Sequence, residues 1–414
     1  MNIIEQARLA KTASRTTRTL TLEQRNTVLL QFAENLVKQA EHVISENLKD
    51  IEEARRNGLS EAMIDRLTLT AGRIEGMAEG IRQIADLEDP LGKVLDDRII
   101  RCGIHLKKIT SAVGVIGIIF ESRPNVTADC AALCLKAGSA CVLKGGKESY
   151  RSCLAVVDVL KEILKENGID ENAVTLAERP SHEETQRFME CTEYVDLLIP
   201  RGGKKLIRAV VDHAKVPVIE TGAGVCHVFV DASADQDMAE KIVINAKCSR
   251  PSVCNAMETL LVHKDAAAAF LPRITAKLAE NGVTEIYGDE KSCAVCPSYQ
   301  KADEQSWHTE YNDLIMNVKT VDSVEEAVSH IETYGTHHSD AIITEDDENA
   351  VYFLNNVDSA CTYHNASTRF TDGFEFGLGA EIGISTQKLH ARGPMGLNEL
   401  TTYRYLLEGK GEIR

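Results

Sequence analysis

Long hydrophobic runs are missing from this chain of 414 residues, and so is any excess of positive charge. No apolar stretch approaches the ~20 residues that a membrane-crossing helix needs, so a membrane partner is not expected. The formal net charge is −17, which disfavours nucleic acid and anionic lipid surfaces, because both demand a basic footprint. An acidic chain that handles an anionic ligand must hold it with locally clustered Arg and Lys. The start, Met1-Asn2-Ile3-Ile4-Glu5-Gln6, has neither the basic opening nor the apolar core of a signal peptide. A cytoplasmic location with reduced thiols is therefore the expectation. Internal repeats and low-complexity segments are also absent.

Cysteine is what the chain has in number: twelve residues. Cys293-Ala294-Val295-Cys296 is a lone C-x-x-C with no second pair or spaced histidines, a weak basis for zinc or redox chemistry. More telling is Ser249-Arg250-Pro251-Ser252-Val253-Cys254-Asn255-Ala256-Met257-Glu258, where one cysteine sits in a short polar stretch between an arginine and a strand-like run. A catalytic thiol needs such placing, since the thiolate is the reactive form and a free thiol is only a few per cent ionised at neutral pH. The plainer reading of Cys254 is one buried thiol among many.

The length exceeds one ordinary core, so two or three domains are expected. Residues 1–90 read as helical, with Val28, Leu29, Phe32, Leu36 and Val37 recurring at helical spacing. Residues 98–113 switch to short-period patterning, the mark of a hairpin or extended arm. From 113 onward β and α segments alternate. Strands are predicted at Val113–Phe120, Ala140–Lys144, Val174–Leu176, Leu197–Ile199, Val216–Glu220 and Val225–Val230, with helices at Val126–Ala137 and about 148–166. A second α/β series runs from 237 to about 365. Short apolar strands separated by helices imply parallel, doubly wound sheets.

Ligands of such sheets bind beyond the carboxyl ends of the strands. Lys144-Gly145-Gly146-Lys147 and Pro200-Arg201-Gly202-Gly203-Lys204-Lys205 follow predicted strands and open helices, so either could cradle phosphate or be a solvated turn. The first is neither a Walker loop nor a G-x-G-x-x-G fingerprint. Gly114 and Gly117 lie inside a strand pattern and read as packing devices. The histidines of His330-Ile331-Glu332-Thr333-Tyr334-Gly335-Thr336-His337-His338-Ser339-Asp340 invite a metal reading, but no zinc-ligand spacing on one helical face appears. A helix end, a Tyr-Gly turn and a strand entering the active cleft at Ser339–Ile343 fit better, and no metal is expected.

Taken together, these pieces resemble the aldehyde dehydrogenase superfamily and, within it, the branch that reduces γ-glutamyl phosphate. The likeness covers nearly the whole chain. It rests on Val321, Ala327, Val328, His330, Ile331, Tyr334, Gly335, Thr336, His338, Ser339, Asp340 and Ile342, on Glu121-Ser122-Arg123-Pro124-Asn125-Val126-Thr127, and on Arg250-Pro251-Ser252-Val253-Cys254-Asn255.

The resemblance implies a Rossmann-type cofactor domain (1–95 and 114–224), an α/β catalytic domain (225–365), an oligomerisation arm and C-terminal tail (96–113 and 386–414), and a return segment (366–385). Cys254 matches the nucleophile, Asn125 a candidate oxyanion donor, and Glu220 the place where hydrolytic relatives keep a general base. That base is not needed for acyl-phosphate reduction, so Glu220 is read as modulating. Lys144, Gly145 and Lys147 match the adenosine-ribose loop, Ser122, Arg123 and Pro124 the dinucleotide path, Gly202 and Gly203 the pyrophosphate site, and Glu310 the nicotinamide ribose. Many NAD-using relatives are acidic where this chain has Lys147, which would attract a 2′-phosphate, so NADPH is the expected cofactor. Arg250, Arg369, His338 and Ser339 are the candidates for binding L-glutamyl 5-phosphate. The implied partners are a pathway neighbour, glutamate 5-kinase, and further copies of this chain in a homodimer or higher homo-oligomer. Two rivals stand beside this reading: a hydrolytic NAD(P)-dependent aldehyde oxidiser, and a non-catalytic thiol or metal-binding protein.

Overall fold

Residues 1–90 form the helices that their periodicity predicts. In the computed structural model, which describes residues 1–178 and 181–413, helices span Ile3–Thr17, Leu22–Lys38, Ala40–Arg56, Glu61–Leu67 and Ala71–Asp86. Asn2, Thr21, Ser60 and Thr70 cap four of them, each side chain accepting a first-turn backbone N–H that the helix cannot satisfy itself. Val28, Leu29, Phe32 and Leu36 make a buried stripe. Cutting Phe32 to Ala would cost roughly 3–5 kcal/mol, the usual effect of emptying an aromatic core position.

The chain divides into two compact units. One comprises Met1–Thr221, Gly377–Gly383 and Met395–Arg414; the other, Gly222–Phe376 and Ile384–Pro394. In the first, a parallel sheet has the spatial order Val174–Leu176, Ala140–Lys144, Val115–Phe120, Leu197–Arg201. The order reverses beside Val115–Phe120, which brings the loops after Phe120 and Arg201 together at a topological switch point. A Cβ on Gly117 would stand 2.5 Å from Leu198 and 2.6 Å from Phe188, so this glycine is the packing device expected. The strand predicted at Val216–Glu220 is reduced to a single bridge between Leu198 and Val218. Pro217 has no N–H to continue the ladder, which stops at Leu198 N to Pro217 O (2.8 Å) and Ile219 N to Leu198 O (2.9 Å).

The predicted arm begins at Val94. Val94–Ile99, His105–Ala112 and Thr401–Glu408 form one antiparallel sheet, and it belongs to the first unit. The return segment divides differently from the expected boundaries. Residues to Phe376 stay with the second unit, and Gly377–Gly383 join the first, where Ile382 N bonds Met395 O at 2.9 Å. The start of the expected tail stays with the second unit, because Lys388 and Arg392 both pair with Asp358, at 2.5 and 2.9 Å.

The second unit is built on seven parallel strands in the spatial order Gln300–Lys301, Glu285–Gly288, Ile315–Val321, Met257–His263, Cys226–Val230, Ser339–Ile343, Cys361–His364. Phe270, Leu271 and Ile274 pack in the core on one face and Phe229, Val324 and Phe353 in the core on the other. Cys226–Val230 and Met257–His263, inside the sheet, are buried on both faces as parallel sheets require, whereas the edge strand Gln300–Lys301 is exposed.

Candidate active site

In the first unit the loops at the carboxyl edge of the parallel sheet carry the expected cofactor residues. Lys144 ends its strand and is only 9 % exposed. Burial lowers its ammonium pKa, against the pull of the Glu148 carboxylate. The loop backbone lies close to its surroundings: a Cβ on Gly145 would meet Phe120 at 3.1 Å, and one on Gly146 would meet Glu148 Oε2 at 2.8 Å. Lys147 is exposed and its charge is felt by Glu53, whereas Glu148 Oε2 lies 3.5 Å from Ser122 Oγ. The loop therefore presents a carboxylate as well as two ammonium groups.

At the switch point, Glu121 N donates to Arg201 O at 3.2 Å, and Gly203 N donates to Glu121 Oε2 at 2.9 Å. Gly203 is the N-cap of helix Lys204–His213, so a carboxylate of the chain itself rests on the N–H where a pyrophosphate is expected. Sequence reasoning places Glu121 in a motif without giving it a role. Ser122 and Pro124 are buried and Arg123 is exposed. Asn125, also exposed, hydrogen-bonds Asp129; burial pushes that carboxyl up to about 6, against the pull of Arg201 and Asn125. Close-lying glycine backbone, a buried lysine and a helix N-terminus fit a dinucleotide. Glu220 belongs to this unit, next to its boundary at Thr221.

In the second unit the expected residues gather at the opposite, amino edge of the strands. Cys254 lies in the turn before Met257–His263, Glu310 before Ile315–Val321, and His338 before Ser339–Ile343. The carboxyl-end rule thus matches where the expected residues lie in the first sheet and not in this one. Cys254 follows the C-terminus of helix Gln236–Cys248, whose dipole disfavours an anion. The positive charge comes from side chains instead. Arg369 is held by hydrogen bonds from Nη1 to Asn255 Oδ1 and from Nε to Ser249 Oγ, the latter 3.2 Å. Burial and the Arg250 charge lower its pKa, while Asp372 and Cys254 raise it. Arg250, Arg369 and Cys254 therefore share one electrostatic neighbourhood.

Two residues that sequence reasoning missed shape the turn. A Cβ on Gly224 would fall on the Cys254 carbonyl, so no other residue fits there. Its N–H donates to Glu310 Oε1 at 2.8 Å, which gives the expected ribose carboxylate a structural task. Cys226 Sγ donates to Cys254 O at 3.2 Å. Beneath them, Lys247 Nζ pairs with Glu258 at 2.7 Å, both fully buried, and desolvation raises the Glu258 pKa despite this partner. The repeated small residues of Thr221-Gly222-Ala223-Gly224 were the available signal for close packing.

His338 and Ser339 are placed differently from an exposed binding surface. Both are 0 % exposed, so neither presents a polar group to solvent. They belong to the interior framework. The surrounding segment is otherwise as expected: helix Val324–Tyr334, Gly335 as its C-cap, then the strand from Ser339. His227 Nδ1 lies 3.0 Å from Asp340, and His330 packs edge-on against His227 and Trp307. Among the described residues, no group of three or more His, Cys, Asp or Glu is placed to hold a metal ion. No described helix is long and apolar enough to cross a membrane.

With this geometry in view, comparison with known proteins gives the class. Residues 1–316 match the aldehyde dehydrogenase family, and the chain belongs to it. Within the family, full-length relatives include γ-glutamyl phosphate reductases: 50 % identity with that of Caldanaerobacter subterraneus subsp. tengcongensis over all of both chains, and 52 % with that of Carboxydothermus hydrogenoformans over 100 % of this chain and 99 % of the relative. The crystal structure of γ-glutamyl phosphate reductase from Thermotoga maritima is similar with a TM-score of 0.98 at 43 % identity, covering all of both chains. An acetylating aldehyde dehydrogenase from Geobacillus thermoglucosidasius, 15 % identical over 99 % of this chain and 97 % of its own, shares the fold with a TM-score of 0.69.

Proposed function

We propose that the chain reduces L-glutamyl 5-phosphate to L-glutamate 5-semialdehyde and phosphate with NADPH, through a thioester on Cys254. The observation that carries this is Cys254 in a turn whose positive charge comes from Arg250 and Arg369, in a chain about half identical, end to end, to γ-glutamyl phosphate reductases. The Cys254 thiolate attacks the acyl carbon, and its backbone N–H takes the developing oxyanion, a kind of contact typically worth ~3 kcal/mol. Phosphate leaves, and Arg250 and Arg369 hold the departing anion. When bound, the nicotinamide supplies the hydride that reduces the thioester. Collapse of the thiohemiacetal then releases the aldehyde and restores the thiolate. Lys144, Lys147 and the Gly202–Gly203 backbone bind the dinucleotide, and Lys147 favours its 2′-phosphate.

A substrate this labile calls for a supplying kinase in the same compartment, glutamate 5-kinase in the cytoplasm. Exposed Val94, Leu95, Ile99, Tyr403, Tyr405 and Leu407 on the antiparallel sheet support pairing with a second copy of the chain. The test is phosphate-dependent reduction of NADP⁺ by glutamate 5-semialdehyde, the reverse reaction. Turnover that needs phosphate and is lost in Cys254→Ala is expected. Oxidation without phosphate would replace this reading with the hydrolytic one.

A further inference from the structure

A ring of polar contacts closes beneath Cys254, entirely within the second unit. The Cys254 carbonyl accepts from Cys226 Sγ at 3.2 Å, and Cys226 Sγ lies 3.8 Å from His338 Nδ1. The same ring nitrogen lies 2.8 Å from Ser339 Oγ, which lies 2.6 Å from Thr371 Oγ1. The Thr371 carbonyl accepts from Asn255 Nδ2 at 2.8 Å, and Asn255 is the residue after Cys254, so the ring is complete. Thr368 Oγ1 adds a bond to Asn255 O at 2.7 Å. His338, Ser339, Thr371 and Cys226 are all 0 % exposed, and His338 Nε2 has no hydrogen-bond partner among the described residues.

We propose that His338 and Thr371 are positioning residues: through Cys226 and Asn255 they fix the Cys254–Asn255 backbone and, with it, the aim and ionisation of the nucleophile. Linked polar side chains in an apolar interior restrict one another to few arrangements. This set is tied at two points to the turn that carries the reactive thiol. Asn255 is also the brace for Arg369, so the circuit couples backbone position to the nearby cation. The proposal rests on Cys254 being the nucleophile, not on the identity of its substrate.

The test compares Thr371→Val, which keeps the volume and removes the hydroxyl, with Thr371→Ser, which restores it. The rate of Cys254 alkylation by iodoacetamide is followed against pH by mass spectrometry of its peptide, beside kcat and KM. Thr371→Val is expected to move the alkylation curve to higher pH and to lower kcat by about tenfold, since small misplacements of a reacting group carry penalties of this order, with cofactor KM unchanged. Thr371→Ser should recover most of both. A valine variant that melts lower yet keeps the wild-type alkylation curve and kcat would overturn the proposal. Should Thr371→Val not fold, Cys226→Ala and Cys226→Ser read the same circuit from its other end: a shifted curve in the alanine variant supports it, and a wild-type curve overturns it. Alkylation needs no substrate, so absence of reductase activity in the wild type would sink the proposed function and leave this comparison intact.

Discussion

The two parallel sheets work from opposite edges. The first unit places Glu121, Lys144 and Gly202 where strands end and helices begin, so positive helix poles lie at that edge, with the Glu121 carboxylate already on Gly203 N–H. The second places Cys254, Gly224 and Glu310 where strands begin, and the helix preceding Cys254 ends there with its negative pole. One edge receives positive charge from its backbone, and the other must import it as Arg250 and Arg369. Hence the expected cofactor residues include glycines and lysines at strand ends, while the nucleophile's neighbours come both from its own segment, as Arg250, and from distant stretches of chain, as Arg369.

The largest expected effect removes the second edge's chemistry: Cys254→Ala should lower phosphate-dependent turnover by at least about 10³-fold while NADPH still binds by fluorescence titration. Next is Gly224→Ala, whose methyl would displace the Cys254 carbonyl. A fall in kcat of roughly 10²-fold is expected, and unchanged turnover would show that the turn tolerates another position. Arg369→Lys keeps the charge but loses the fork that holds Asn255 and Ser249. It should cost about tenfold in kcat/KM.

Acid and base should stress the units in opposite senses. In the first unit the folded Asp129 carboxyl titrates at about 6, above its ordinary 3.8. It binds more protons folded than unfolded, and its contribution to stability is lost as pH rises from about 4 to 6. Asp129→Asn should flatten that fall in a melting-temperature series. In the second, burial lowers His338 to about 4 and His330 to about 2, so stability is lost as pH falls below 6.5. The chain's one tryptophan, Trp307, packs on His330 with ring centroids 5.2 Å apart, and its fluorescence should report that acid transition. The smallest effect expected is on Glu121→Gln: removing the carboxylate from Gly203 N should tighten NADPH binding by roughly two- to fivefold, the scale of one charge at a helix N-terminus. Weaker binding would mean that Glu121 serves the nucleotide rather than competing with it.

The sequence made the helices of residues 1–90, the alternating strands and the turn that carries Cys254 legible, because periodicity and turn residues are local signals. Val216–Glu220 misled because its apolar pattern is that of a strand while Pro217 breaks the ladder. His338 and Ser339 stood out as polar residues at a strand entrance, and pattern alone does not say that polar side chains face inward. Glu121, Gly224 and Thr371 went unassigned for a related reason. Their importance lies in what they touch across the fold, and only tertiary contacts bring those groups together.

The antiparallel sheet also has a consequence for synthesis. Its middle strand, His105–Ala112, pairs on one side with Val94–Ile99, close in the chain, and on the other with Thr401–Glu408. While the ribosome is still making the intervening residues, that second edge has no partner of its own. A strand edge left open this long invites pairing with a neighbouring nascent chain. Thr401–Glu408, made long after the middle strand, therefore complete the sheet and also end its exposure to aggregation.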